Sequence, residues 1–323
     1  MLGHRMLLRF GLLCLLATSA PIASSAQAQT YPAGPVKFIT PFGAGAAAEP
    51  AMRFVADHLG RMWGQQAVVV NQPGAAGAIA ARAAAVAPPD GQTLFMAIAS
   101  TFVTLPELQT NLPFNVNDFV PIGFVGEVPI AVTASPTLPV SNLPDLITYS
   151  KRHRGGLNAA VGLRGGIVHL AAELFRSRSG AELTSVFYPN SGAAMTDLIS
   201  GRVPIGMESL AGPMAAGQLK LLAVTSPARL PSRPDLPTVA ETLPGFAASG
   251  WFVLVAPPGT PAAIAKKVSN DLRAVLALPE VKQRFDALNV STRTMSPQEL
   301  SAFIHAERQL WKPVIKQAGL GAQ

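Results

Sequence analysis

Short apolar runs alternate with segments of helical period along most of the chain. The runs "VKFITPF", "QAVVVNQP" and "TLFMAIAS" predict the first three strands. Between the first two, Met52, Val55, Leu59 and Met62 recur at helical spacing behind Pro50, which suits the first turn of a helix. The alanine-rich "AGAIAARAAAVA" predicts a second helix. Continuous apolar strands separated by helices indicate a parallel sheet covered on both faces.

The same alternation continues until the C-terminal part, which becomes helical. Further strands are predicted at "PIAVTA", "LNAAVG", "LTSVFYP", "VPIGMES", "LKLLAVTS" and "GWFVLVAPPGT". Helices are predicted at "LPDLITYSKRH", "IVHLAAELFRSRSG" and "GAAMTDLISG". Thr260-Pro261 opens a C-terminal helix, and the capping box "SPQE", from Ser296 to Glu299, opens the last one. This pattern is typical of an α/β fold.

Two groups of βα units, followed by a C-terminal segment without a sheet of its own, predict two lobes with a discontinuous first lobe. The chain is expected to cross near Glu127–Pro129 and to return near Ser249–Phe252. Lobe 1 then comprises residues 29–128 and 250–323, and lobe 2 comprises residues 129–249. Two crossings form a hinge, so the cleft between the lobes is the expected binding site.

Residues 1–28 have the features of a cleavable secretory signal. His4, Arg5 and Arg9 flank or precede the apolar core "GLLCLLATSA", and Ala26-Gln27-Ala28 fits an A-x-A cleavage site. The apolar core is too short to span a bilayer. The segment therefore predicts export and removal of the first 28 residues.

Cys14 is the only cysteine of the 323-residue chain, and it lies inside the predicted signal. A lipid anchor on Cys14 is the weaker interpretation, because Leu13 stands where a lipoprotein signal needs a small residue. Without cysteine, residues 29–323 cannot form disulfides, thiolate nucleophiles or cysteine-zinc sites. Their stability must come from packing.

The charge pattern and the motifs favour a binding protein over an enzyme. The chain carries 25 lysines and arginines against 18 acidic residues, and the basic residues are scattered and not interleaved with aromatics. Nucleic-acid binding is therefore not expected. No nucleophile elbow, zinc-protease motif or P-loop occurs, and the five histidines lack metal-ligand spacing. We expect no cofactor and no metal; a secreted α/β hydrolase is the alternative from another class.

The loop after the first strand, "FGAGAAAE", is built from small residues. A dinucleotide fingerprint would need a third glycine at Ala48 and an acidic residue after the second strand, where Asn71 and Gln72 stand. The loop can instead bring backbone N–H groups up to an anion at the positive end of the following helix. The alternative, that Gly43 and Gly45 only let helix and strand pack closely, remains open.

A second small-residue loop, "AVGLRGGIVHL" from Ala160 to Leu170, again joins a strand to a helix. Two helix N-termini that face one cleft can hold an anion from both sides. Arg164 carries the strong charge of this loop, and it either grips a carboxylate bidentately or is a solvated loop arginine. His169, in the first turn of the helix, fits a capping or packing role better than that of a base.

These loops, in this order, resemble the periplasmic solute-binding receptors of the tripartite tricarboxylate transporter family, also called Bug receptors. The resemblance covers essentially the whole chain after the signal. It rests on the ordered segments "YPAGPVKFITPFGAGAAAE", "GQQAVVVNQPGAAGAIAA", "APPDGQTLFMA", "LPFNVNDFVPIGFVGEVP", "HLAAELF", "TDLISGRV", "LKLLAVTSPARLPSRPDLPTVAE", "GWFVLVAPPGTP", "SPQEL" and "ERQLWKPVIKQAG". It implies a two-lobed periplasmic-binding-protein fold, type II like, in which each lobe is a mainly parallel sheet flanked by helices. It also implies a receptor that closes on a small carboxylate.

Carried over residue by residue, the resemblance implies ligand contacts in both lobes. In the first lobe these are Phe42, Gly43, Ala44, Gly45, Ala46 and Ala47, with Ser100 and Thr101 after the third strand. Across the cleft they are Gly162, Leu163, Arg164, Gly165, Gly166 and His169, with Asn190 and Glu208 nearby. The family holds its ligand largely through backbone amides and ordered waters, which agrees with an anion cradle.

The sequence departs from the family pattern within these loops. Ala46, Ala47 and Ala48 replace a Gly-Gly-x-Thr type loop, and Val161-Gly162-Leu163 replaces a Ser-Ser-Gly-like run. Lost hydroxyls and added apolar bulk predict a drier pocket. An aromatic or otherwise apolar-bodied carboxylate is therefore expected rather than a polyacid such as citrate.

The resemblance also implies a partner. A monomeric receptor of this kind is expected to deliver its ligand to a two-protein membrane permease. A sensor ectodomain replaces the permease if the receptor serves signalling, and an orphan receptor without a transport role is a further alternative.

Overall fold

The computed structural model describes residues 31–43, 49–188, 191–210 and 216–321, and the predicted signal segment lies outside them. The strands are β1 (Val36–Thr40), β2 (Ala67–Asn71), β3 (Thr93–Ile98), β4 (Val120–Ala134), β5 (Leu157–Val161), β6 (Leu183–Phe187), β7 (Ile205–Ser209), β8 (Lys220–Val224) and β9 (Ser249–Ala256). The helices are α1 (Glu49–Trp63), α2 (Ala78–Ala85), α3 (Ala99–Val103), α4 (Leu105–Leu108), α5 (Leu143–Arg152), α6 (Ile167–Ser179), α7 (Ser191–Ile199), α8 (Ala262–Ala277), α9 (Pro279–Ala287) and α10 (Pro297–Gln317). None of the helices in this described part of the chain combines the length and the hydropathy of a membrane span.

The described strands form one mixed sheet in the order β2-β1-β3-β9-β4-β7-β5-β6, with β8 paired to β4. β1 is parallel to β2 and β3, and β5 is parallel to β6 and β7. The predicted parallel pairing therefore holds in these outer groups. β4 and β9 run antiparallel to each other and to their other neighbours. They connect the first half of the sheet, β1 to β3 with their helices, to the second half, β5 to β8 with their helices.

β4 joins the two halves of the sheet because its partner changes along its length. As far as Pro129 it pairs with β9, and Pro129 lies opposite Ser249. From Ile130 onward it pairs with β7 and β8, and Ile130 lies opposite Ser209. This exchange falls where the sequence predicts that the chain crosses between lobes. The lobe boundaries at residues 128/129 and 249/250 stay a prediction.

Helix α1 packs on the first half of the sheet through one apolar stripe. Three residues of this stripe are fully buried, as their spacing predicts: Met52, Val55 and Leu59. The pattern fails at Met62, which is 46% exposed. In the same last turn, Trp63 packs instead. Its ring stacks on Phe38 with 6.2 Å between ring centres, and its N–H donates to Asp271 at 2.7 Å.

Helix α10 packs against β4 and also against α3 and α6, which belong to different halves. It begins at the predicted capping box, where Ser296 and Glu299 exchange hydrogen bonds between side chain and backbone. The Nε1–H groups of Trp251 in β9 and Trp311 in α10 both donate to Glu307, at 2.8 and 3.2 Å. These bonds fix α10 on the crossing strand β9.

Candidate functional site

The described residues among the predicted site residues lie at or just after the carboxyl ends of strands that have parallel neighbours. Those of the first half follow β1 and β3, and those of the second half follow β5 or lie near the end of β7. Parallel neighbours place their carboxyl ends at the same edge of a sheet, so the residues of each half share one edge. Open α/β sheets bind their ligands at such edges.

The loop after β1 is held by contacts of its first residues. The Phe42 carbonyl accepts a hydrogen bond from the side chain of Asn71 at 2.9 Å, so the end of β2 positions the start of the loop. Thr101, the predicted site residue that follows the neighbouring strand β3, is fully buried, and its hydroxyl donates to the carbonyl of Ala76 at 3.4 Å. Gly43 is the last described residue of the loop. The remaining predicted residues of the loop lie outside the described part of the chain: Ala44, Gly45, Ala46 and Ala47.

Ser100 links the two halves at the predicted site. Its buried hydroxyl accepts a hydrogen bond from the N–H of Ile167, the first residue of α6, at 3.3 Å. Gly165 approaches the first half as well, since a Cβ built on it would lie 2.8 Å from Cδ1 of Leu108 in α4. Ser100 and Gly165, which the sequence assigns to different lobes, therefore lie at one contact between the halves.

Backbone amides at the start of α6 are engaged within the protein. Gly165 has φ +79°, a conformation that favours glycine, and its N–H donates to Nδ1 of His169 at 3.1 Å. The N–H of Gly166 donates to a carbonyl of the same loop at 2.9 Å. Together with the bond from Ile167 to Ser100, three successive amides have protein acceptors. A ligand oxygen that binds one of these amides must replace or share its acceptor.

His169 positions the second loop and is itself held by Glu173. His169 is 4% exposed, and its ring lies edge-on to that of Phe187, with 4.8 Å between ring centres. Because Nδ1 accepts from Gly165, the proton of the neutral ring lies on Nε2, 3.6 Å from Oε1 of Glu173. This is the capping and packing role that the position of His169 in its helix favours.

Protonation of Glu173 should lower the free energy of unfolding as the pH decreases from about 4.5 to about 2. The contact with His169, and then the hydrogen bonds from Arg176, lower the pKa of Glu173 from 4.5 to about 2, against the effect of burial. A carboxyl whose pKa is lowered on folding stabilises the protein above its unfolded pKa and loses that contribution as it is protonated. The loss should be about 1–2 kcal/mol, because solvent screens this pair in part. Urea unfolding at a series of pH values measures it.

Glu173→Gln should flatten this part of the pH profile. The matched control is Glu182→Gln, which changes an exposed carboxyl just before β6 and should leave the profile as it is. Equal slopes for the wild type and Glu173→Gln would contradict the expected role of Glu173.

Arg164, Leu163 and Phe187 form an exposed patch beside the second loop. The guanidinium carbon of Arg164 lies 5.9 Å from the centre of the Phe187 ring. Leu163 is 58% exposed and Phe187 is 39% exposed. The ring orients the guanidinium through a cation–π contact. A contact between Arg164 and a ligand stays a prediction.

Glu208 lies against the second loop from the neighbouring strand. Its side chain is buried near the end of β7. A Cβ built on Gly162 would lie 3.4 Å from Oε1 and 3.8 Å from Oε2 of Glu208. Asn190, the other residue predicted nearby, lies outside the described residues. The structure thus brings Glu208 to the loop that carries Arg164.

The sequence does not predict two residues that lie against the second loop and the start of α6, Leu108 and Phe187. Phe187 ends β6, the parallel neighbour of β5, and this position at a strand end is a signal for it in the sequence. Leu108 lies in the short helix α4, and no local pattern signals its position against Gly165.

Metal-binding groups and surface depressions of the described chain lie apart from the predicted site residues or are not found among the described residues. The described residues contain no group of three or more His, Cys, Asp or Glu side chains placed to hold a metal ion. Two open depressions lie beside the start of β2 and beside the starts of β5 and β6, and none of the predicted site residues lines them.

Comparison with known proteins decides the family. The family model of the tripartite tricarboxylate transporter family receptor matches residues 51–320. The chain belongs to this family. BugT of Bordetella pertussis is 33% identical over 311 residues, which cover 94% of this chain and 95% of BugT. The resemblance found in the sequence is thereby confirmed.

Solved structures of related receptors share the fold. A protein of R. palustris solved with adipate has a TM-score of 0.84 and 30% identity, covering 91% of this chain and 100% of its own. MatC from Rhodopseudomonas palustris, solved with bound malate, has a TM-score of 0.77 and 26% identity, covering 88% of this chain and 100% of its own. The predicted two-lobed α/β fold of a periplasmic binding protein is confirmed. The tripartite tricarboxylate transporter receptors are solute-binding proteins, not enzymes.

Proposed function

We propose that the protein is a periplasmic receptor that binds a small carboxylate where its two halves meet. The observation that carries the proposal is the hydrogen bond from the N–H of Ile167 to Ser100, which joins site residues of both halves. The adipate-bound and malate-bound relatives support a carboxylate as the ligand class. The ligand carboxylate binds at the positive end of α6, where one oxygen takes the place of the Ser100 hydroxyl on Ile167.

The side chains around this contact favour a ligand with an apolar body. Leu108 lies against Gly165, and Leu163 and Phe187 expose apolar surface beside the same loop. Covering apolar surface contributes roughly 25 cal/mol per Å². Each further carboxylate of a polyacid would instead lose water among these side chains. We therefore expect an aromatic or aliphatic body on the ligand.

Export and delivery complete the proposed function. Cleavage after Ala28 releases the receptor into the periplasm, and the loaded receptor hands its ligand to a two-protein membrane permease. Genes for one large and one small membrane protein beside this gene would support uptake. A neighbouring sensor gene without such a pair would favour signalling.

Native mass spectrometry and a thermal-shift panel test the ligand class. We expect the purified protein to retain a small acid, and benzoate-like or long aliphatic acids to raise Tm by several degrees more than citrate does. The control is Gly165→Ala, which should abolish the shift, since φ +79° strains an alanine in the loop and its Cβ would displace the end of the Leu108 side chain.

Two outcomes would count against the proposal, each in a different way. Stabilisation by citrate but not by apolar-bodied acids would overturn the expected ligand body. If no acid of the panel binds, the protein is not a carboxylate receptor.

A further inference from the structure

Helices α5, α6 and α10 end at one corner of the molecule. The turns that follow α5 and α6 are adjacent, since the N–H of Leu157 donates to the carbonyl of Glu182 at 2.9 Å. α10 ends beside them, because the side chain of Gln317 donates to that of Ser177 near the end of α6, also at 2.9 Å. The corner lies at the start of β5, and the second loop follows the other end of this strand.

The corner carries a surplus of positive charge. Each of the three helices has basic side chains in its last turn, and one more basic residue follows α5. These exposed side chains form the basic corner: Lys151, Arg152, Arg154, Arg176, Arg178 and Lys316. Two carboxylates lie beside them, Glu173, which pairs with Arg176 at 2.7 Å, and Glu182. The three helix ends contribute about −1.5 charges, so a net charge of about +2.5 remains at the corner.

Most of these positive charges have no anionic partner within the protein. In the described part of the chain, no carboxylate forms an ion pair with Lys151, Arg152 or Arg154. The guanidinium of Arg178 donates to a neutral acceptor, the carbonyl of Pro244, at 2.6 Å. Like charges held close together repel each other, and a surface of opposite charge relieves this repulsion. The basic corner is therefore suited to bind a negatively charged surface.

We propose that the basic corner docks the exported protein on an anionic membrane surface. Clusters of about four to eight lysines and arginines are attracted to membranes that contain anionic lipids. Here the charges lie on long, flexible side chains at helix ends and turns, so they fit an array of headgroups better than one partner of fixed shape. The inference rests on the proposed export to the periplasm, beside the inner membrane, but not on the proposed ligand.

Docking at this corner leaves the proposed ligand site uncovered. The five residues of β5 separate the corner from the second loop, and an extended strand of this length spans about 17 Å. A docked receptor can therefore take up its ligand without leaving the membrane. Docking also concentrates the receptor on the membrane that holds the proposed permease.

Sedimentation with lipid vesicles tests the docking. The exported protein, without the predicted signal, is mixed with vesicles of about 30% phosphatidylglycerol in phosphatidylcholine or with vesicles of phosphatidylcholine alone. At about 20 mM NaCl, we expect the protein to partition roughly tenfold more strongly onto the anionic vesicles. At about 500 mM NaCl this preference should disappear, because salt screens exposed charges.

Two triple variants locate the docking surface. The first combines Lys151→Gln, Arg152→Gln and Arg154→Gln, and its partition onto the anionic vesicles should fall by roughly tenfold or more. The matched control removes three exposed basic residues of α8 and α9: Lys266→Gln, Lys282→Gln and Arg284→Gln. Both variants have the same net charge, but the control should lose no more than about threefold. Circular dichroism confirms that both are folded.

The outcomes separate this inference from the proposed function. Equal sedimentation of the wild type with both kinds of vesicle overturns the docking, and so do equal losses in the two triple variants. Wild-type protein that binds soluble polyglutamate but not the anionic vesicles would indicate an acidic protein partner and also overturn membrane docking. In each of these cases the carboxylate receptor stands. Failure of the acid panel, in turn, leaves the docking surface unaffected.

Discussion

Replacing Trp251 with alanine should lower the free energy of unfolding by about 3–5 kcal/mol, the usual cost of removing a large buried aromatic side chain. Trp251 is 1% exposed and lies in β9, in the middle of the sheet. Its ring lies edge-on to Phe303 of α10 at 5.3 Å between centres, and its N–H donates to Glu307. The alanine variant loses both contacts and leaves a cavity under α10. Urea unfolding followed by circular dichroism measures the loss.

Trp251→Phe is the matched control. It keeps an aromatic ring on β9 and removes the hydrogen bond to Glu307 with part of the ring volume. Its cost should be about 1–2 kcal/mol. A loss below about 1 kcal/mol for Trp251→Ala would show that α10 does not depend on this contact.

Gly77→Ala should lower the free energy of unfolding by about 2–4 kcal/mol and weaken ligand binding. Gly77 has φ +94°, which strains any residue with a Cβ. That Cβ would also overlap Oγ1 of Thr101 and lie 3.4 Å from Cβ of Pro41, just before the first loop. Thr101 is fully buried and has little room to move away. Urea unfolding gives the stability, and the thermal shift with a bound acid gives the effect on the site.

Gly245→Ala separates crowding from backbone strain. Gly245 has φ +77°, close to that of Gly77, but no atom lies within 4 Å of its added Cβ. This variant should cost only about 1 kcal/mol and should leave ligand binding unchanged. Equal costs at the two glycines would mean that contact with Thr101 contributes nothing.

β4 is longer in the structure than the local sequence pattern predicts. The sequence predicts a strand only at "PIAVTA", because Pro121, Gly123 and Gly126 interrupt the preceding residues. In the structure, the strand runs over Val120–Ala134, and its register with β9 shifts beside these three residues. Bulges accommodate residues that do not fit a regular ladder. Pairing with a distant strand, rather than local propensity, therefore extends β4.

The sequence carries signals for single contacts but not for the packing that brings them together. Local signals were sufficient for the capping box of α10, because Ser296 and Glu299 are three residues apart. Family resemblance points to Ser100 and the loop around Gly165, whose contacts with a ligand stay a prediction. Neither indicates that Ser100 caps α6, because this bond joins residues 67 positions apart in the chain. Such contacts depend on how the two halves pack.

β9 occupies the middle of the sheet although it comes late in the chain. β3 and β4 each pair with β9 and are separated by it. During translation, the sheet must therefore stay divided until residue 256 has left the ribosome, and α10 can dock only afterwards. For the proposed export, this means that the chain can pass through a membrane channel before its sheet is complete.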